Sequence, residues 1–200
     1  MSSVVLSGDT SGTVTLTVPA VAGSNTVTVP AGTGTMAVQG VSTNIVSGTA
    51  VASTSGTAID FTSIPSWVKR ITVMFNGVST NGTSNYQVQI GAGSVVTSGY
   101  AAAVTSATST WSGNINSATG GFQFYNTNAA SDVVNGHLVL TLISGNTWVS
   151  SSNIIASTGL RASSGTGSLA LSGTLDRVRI TTVNGTDTFD AGSINILYEG

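Results

Sequence analysis

Hydrophobic and polar residues alternate with a period of two along much of this chain. Thr13-Val14-Thr15-Leu16-Thr17-Val18 sets Val and Leu on one face and threonines on the other, the pattern of a half-buried strand. Tyr86-Gln87-Val88-Gln89-Ile90 alternates in the same way and stops at Gly91. No window of a dozen residues keeps apolar positions at i, i+3, i+4 and i+7, and β-branched residues dominate, so helices are not expected. The pattern predicts strands over residues 58–65, 68–75, 86–90, 122–125, 137–143, 147–149, 175–181 and 193–198. Asn76-Gly77, Asn135-Gly136 and Gly145-Asn146 border these runs and are expected to supply the φ > 0 positions of tight hairpin turns. About eight strands at this spacing predict an all-β fold, an antiparallel jelly-roll-like β-sandwich.

Ahead of those strands stands a short repeat. Thr26-Val27-Thr28-Val29-Pro30-Ala31 repeats Thr15-Leu16-Thr17-Val18-Pro19-Ala20, each unit closed by a proline that cannot donate to a ladder. Two units are too few to close a core of their own, which favours packing against copies of themselves in a symmetric fibre. Residues 1–40 are therefore read as an N-terminal β-repeat attachment segment. Residues 41–56, rich in Gly, Ser, Thr and Ala, are read as a linker or as weak strands crossing between modules, and residues 57–200 as the β-sandwich domain.

Composition adds the expectation of an assembly. Only 6% of the 200 residues are charged, against about 25% in an ordinary soluble domain, and residues 10–59 and 71–131 carry no charged side chain. Net charge −2 gives little like-charge repulsion to keep a free monomer dispersed, so an oligomer or larger particle is expected. The basic residues, Lys69, Arg70, Arg161, Arg177 and Arg179, are too sparse to follow a phosphate backbone, which excludes nucleic-acid binding. Cysteine is absent, so there are no disulfides and no thiolate metal sites. No apolar run approaches a membrane span, and residues 1–9 lack the basic start and apolar core of a secretory signal.

The run TSGTAIDFTSIPSWVKRITVMF over residues 54–75 resembles a phrase recurring in tailed-bacteriophage virion proteins of the tail-fibre and head-fibre type. The closing GSINILYE, residues 192–199, is similar to the ending of the same proteins, and GTVTLTVP (12–19) and NTVTVP (25–30) resemble fibre leader segments. The resemblance implies a virion protein, commonly a homotrimer, with an N-terminal part mounted on other virion proteins and a C-terminal β domain turned outward. It carries no defined binding site. The chain is shorter than a parallel-β-helix tailspike, so depolymerase activity is not implied. A capsid decoration protein without receptor binding and a cellular adhesin are the alternative readings.

Candidate chemistry is sparse. His137 is the sole histidine, and no G-x-S-x-G elbow accompanies it, so a hydrolytic triad is not expected. The acidic residues Asp9, Asp60, Asp132, Asp176, Asp187, Asp190 and Glu199 are scattered, with Asp176 placed for ion pairing with Arg177 and with Arg179 close by. Asn184-Gly185-Thr186-Asp187-Thr188-Phe189-Asp190 offers alternating oxygens but lacks the carboxylates and closing Glu of a calcium loop, and is read as a turn. Asn81-Gly82-Thr83 and Asn184-Gly185-Thr186 match a glycosylation sequon and are likewise read as turns. No catalytic residue, metal ligand or cofactor is assigned. The best candidates for touching a host glycan are Trp111, in a polar stretch, Tyr100 and Tyr125 beside loop-like segments, and Asn114.

Overall fold

The computed structural model describes residues 3–7, 13–17, 45–108, 113–157 and 160–200, and the chain divides into two units, Met1–Ala37 and Val38–Gly200. In the first unit β1 (Ser3–Ser7) and β2 (Thr13–Thr17) pair antiparallel, with Val4 opposite Leu16 and Leu6 opposite Val14. The second copy of the repeat, residues 26–31, lies outside the described residues.

The second unit holds β3 (Ile45–Ser47), β4 (Val51–Ala52), β5 (Ala58–Thr62), β6 (Arg70–Thr80), β7 (Tyr86–Ala92), β8 (Ser94–Val95) and β9 (Ala101–Thr108). It continues with β10 (Gly113–Ala118), β11 (Phe122–Tyr125), β12 (Val134–Ser144), β13 (Thr147–Ala156), β14 (Arg161–Ala170), β15 (Arg177–Thr182) and β16 (Phe189–Glu199). No helix occurs among the described residues. The larger sheet runs β10-β9-β14-β13-β12-β6-β16-β3, with β4 also on β16, and the smaller runs β11-β7-β15-β5, with β8 on β7. Every pairing is antiparallel, and the sheets are open at their edges, as in a β-sandwich.

The pairing is nested. The β12–β13 hairpin lies inside the pair β9·β14, that pair inside β7·β15, and that one inside β6·β16. A long hairpin rolled up in this way is the logic of a jelly roll. The variation is that β12 and β13 stay in the larger sheet, between β14 and β6.

The stretch read as a linker or weak strands contains short strands. Residues 45–47 and 51–52 are strands on the β16 side of the larger sheet, and Ser53 is buried with its hydroxyl donating to the Ala191 carbonyl at 2.8 Å. A Gly/Ser/Thr-rich stretch can take this place because an edge strand needs only one ladder and few apolar residues. Residues 41–44 lie outside the described set.

Two of the three expected hairpin turns are corrected. Gly145 turns the β12–β13 hairpin at φ +54°, as expected. Asn76-Gly77 and Asn135-Gly136 instead lie inside β6 and β12, where the register shifts. Gly77 has φ +66° and Gly136 φ +137°, and the Asn135 side-chain oxygen accepts the Gly77 N–H at 2.8 Å. A bulge and a hairpin turn draw on the same positive-φ residues, so the dipeptide could not separate them.

Between the sheets lies one core. Phe75 of the larger sheet stacks on Phe124 of the smaller with ring centroids 4.4 Å apart, Tyr86 tilts against Phe124, and Phe189 packs on Tyr86 in turn. β9 and β14 were not predicted, because their inward residues are small. They need to be: a Cβ on Gly165 would meet the Gln123 carbonyl oxygen at 2.4 Å, and one on Gly167 would meet Phe122 Cδ1 at 2.9 Å. The small-residue strands let β11 lie close over the sheet.

Candidate functional site

Two of the four residues expected at a contact surface belong to the interior. Tyr100 is 2% exposed; its hydroxyl accepts the Ile90 N–H at 2.8 Å and donates to the Val96 carbonyl at 3.0 Å, and its ring meets Phe122 edge-on at 4.8 Å. Tyr125 is fully buried and donates to Asp132 at 2.9 Å. Both flank loops in sequence, yet each hydroxyl finds its partner inside, which makes a large ring a good plug for the sandwich end. Trp111 lies outside the described residues. Asn114 remains at the surface, exposed on β10 opposite Ser106.

The buried tyrosines set an alkaline limit on stability. Burial first of all pushes the Tyr86 and Tyr100 hydroxyls up to about 12 from the ordinary 10.0, and burial followed by the bond to Asp132 pushes Tyr125 upward as well. A tyrosine that ionises later in the native than in the unfolded chain stabilises the fold fully below pH 10 and loses that contribution as the pH rises towards 12. Each such group withdraws about 1.4 kcal/mol per pH unit across that window. Urea unfolding from about pH 9 to about pH 12 is expected to show a falling midpoint, with these phenolates forming only as the protein unfolds. A midpoint independent of pH would contradict the assignment.

Asn114 borders a polar hollow of about 250 Å³ whose walls come from five separated stretches of chain. β10 supplies Asn114 and Asn116, β9 supplies Ser106 and Thr108, β14 supplies Arg161, the segment after β11 supplies Asn126, Thr127 and Asn128, and the β6–β7 connection supplies Asn85. Asn126 holds the centre. Its side-chain oxygen accepts from Asn85 Nδ2 at 3.1 Å and from Asn116 Nδ2 at 2.9 Å, and its backbone carbonyl accepts from Arg161 Nη1 at 3.1 Å. Asn85 is fixed in turn by the Thr127 N–H, which donates to its oxygen at 3.0 Å. Sequence reasoning reached Asn114 only. Asn85, Asn116, Asn126 and Arg161 stand far apart in the chain, and each alone reads as a turn or strand residue.

The other arginines are matched to carboxylates. Arg179 and Asp60, opposite one another on β15 and β5, form two bonds of 2.8 Å; Arg177 holds Asp176 at 2.8 and 3.1 Å; Arg70 reaches Glu199 at 3.4 Å. The hydrogen bonds from Arg177 hold the Asp176 carboxyl below its usual range. Asp132 accepts from Tyr125 and from the Asn128 and Ala129 N–H groups, and Asp190 from Ser79. Asp9 lies outside the described residues. His137 is exposed on β12 between Met74 and Asn153 of the neighbouring strands.

The loop at residues 184–188 is a turn. Asn184 Oδ1 accepts the N–H groups of Thr186 and Asp187, while Asp187 accepts from the Ser84 N–H and from Asn184 Nδ2, tying this turn to the β6–β7 connection. No group of three or more metal-ligating side chains exists among the described residues.

Two other hollows flank the sheets. One, about 810 Å³, lies along the β9-β10 end of the larger sheet and exposes Ile115 and Ile155. The other, about 550 Å³, has the amides of Gln87, Gln89 and Gln123 along its wall on the smaller sheet. The geometry defines an all-β, sandwich-like domain with an amide-lined hollow. Comparison with protein-family models, curated proteins and solved structures finds no match to the chain.

Proposed function

We propose that this chain is a fibre-like structural protein of a tailed-bacteriophage particle, mounted by its N-terminal part as a homotrimer and presenting its β domain to the host surface. The observation that carries the reading is the arrangement of the two phrases resembling phage virion proteins. Residues 54–75 and 192–199 lie more than a hundred positions apart in the chain. β6 and β16 nevertheless pair as neighbours from Ile71 opposite Tyr198 to Phe75 opposite Ile194, with Arg70 beside Glu199. The two phrases therefore meet on adjacent strands of one sheet.

The surface supports membership in an assembly. Ile115 is 73% exposed and Ile155 50% exposed beside the larger hollow, on a chain with net charge −2. Apolar side chains that sit together at a surface mark contact sites. Sedimentation of the full chain is expected to give a trimer. Changing both Ile115→Lys and Ile155→Lys is expected to shift the mass towards the monomer without lowering the melting temperature. A parent protein that is monomeric at high concentration would overturn the assembly reading.

Location on the particle tests the role. Labelled antibody against the β domain is expected at the tail tip of intact virions. Label on the head surface would favour the decoration reading, and particles without label would remove the virion reading altogether. Avidity gives the trimer its use, since several weak uncharged contacts presented together bind far better than one.

A further inference from the structure

We infer that the amide-lined hollow at Arg161 and Asn114 binds an acidic sugar, the guanidinium taking the carboxylate and the surrounding amides the hydroxyls. The inference deepens the host-surface reading and rests on it for the source of the sugar.

Arg161 is the arginine left over. Arg70, Arg177 and Arg179 each lie against a carboxylate, whereas Arg161 makes no ion pair among the described residues. It spends one N–H on the Asn126 carbonyl, and a guanidinium carries five. Asp132, whose field also reaches Tyr125, is already held by the Tyr125 hydroxyl and two backbone N–H groups. In a chain that matches its other arginines, an unmatched one on the wall of a hollow is placed for an anion from outside. Its planar fork suits a carboxylate.

A second observation comes from Asn126, which is 4% exposed. Two amide donors, Asn85 Nδ2 and Asn116 Nδ2, converge on its oxygen and fix which way the side chain faces, because flipping it would set N–H against N–H. Its own Nδ2 is then buried with no acceptor. A buried donor without a partner is costly and calls for an explanation. Asn126 lines the hollow, which puts this unmet donor in the wall of the pocket. Asn114, Asn116 and Asn128 add both donors and acceptors around it, the mixed set that vicinal sugar hydroxyls require, in about 250 Å³, the scale of a single sugar residue.

The test is calorimetric titration of the full chain with a glucuronic-acid-containing disaccharide, the neutral disaccharide with glucose in its place, and inorganic sulfate. The acidic disaccharide is expected to bind at least about tenfold more tightly than either of the others. Arg161→Gln is expected to remove that preference. Asn114→Asp, which alters an exposed side chain and no interior bond, is expected to weaken the acidic sugar by a similar factor through charge repulsion. Equal binding of acidic and neutral sugars, no binding, sulfate binding as tightly as the uronate, or parent-like binding by Asn114→Asp would each overturn the inference. Titration of the isolated protein reports on the hollow whatever the particle location. An antibody that finds no virion removes the biological role and leaves the sugar affinity standing.

Discussion

Phe124→Ala is expected to destabilise the β domain by about 3–5 kcal/mol, enough to abolish most of the stability of an ordinary domain. Phe124 has no exposed surface and sits where the two sheets meet, stacked on Phe75 at 4.4 Å and tilted against Tyr86 at 5.8 Å. Truncation leaves a void that the stiff strands on either side cannot collapse into, so the cavity cost adds to the lost transfer energy. Denaturant unfolding of parent and variant measures the difference. A shift below about 1 kcal/mol would mean that Phe75 and Phe124 do not join the sheets as described. Phe124→Leu, which keeps most of the volume, is expected to recover a large part of the loss.

Gly192→Val is expected to cost more and to leave little folded protein. Gly192 adopts φ +92° at the double register shift of β16, and a Cβ there would lie 2.3 Å from the Gly77 carbonyl oxygen and 2.6 Å from the Val78 nitrogen. Left-handed backbone alone costs a β-branched residue about 1–2 kcal/mol, and the backbone of β6 cannot withdraw without breaking its own ladders. Gly145→Ala is the control. Gly145 has φ +54° but nothing within 4 Å of a would-be Cβ, so only the conformational cost of about 1 kcal/mol is expected. If the two variants melt together, the crossing of Gly77 and Gly192 is not the tight contact it is taken to be.

The strands with strong alternation were legible from the chain. β6, β7, β12, β15 and β16 all lie under such runs: Ile71, Val73 and Phe75 are buried in β6, and in β7 the whole of Tyr86 to Ile90 is buried, with Gln87 and Gln89 inside as well. β9 and β14 were not, since Ala101–Thr108 and Arg161–Ala170 pair through their backbones and leave the space above them to Phe122 and Gln123. Propensity measures how a side chain fits a pleated surface, and it is silent where the fold needs the side chain to be missing. The hollow was legible only through Asn114. Tyr100 and Tyr125 misled because a ring beside a loop can turn inward as easily as outward, and the sequence does not record which backbone N–H or carboxylate awaits its hydroxyl.

The nested pairing has a consequence for the order in which the molecule can form. β16 lies between β6 on one side and β3 and β4 on the other, strands that leave the ribosome more than a hundred residues before it. The early strands must wait with a vacant lane between them until β16 arrives. Closing so long a loop carries an entropic toll and puts the decisive contacts among the least local ones, which makes for slow folding. A nascent chain stalled before residue 189 therefore exposes two unsatisfied strand edges at once, a surface open to wrong pairing until the seam is shut.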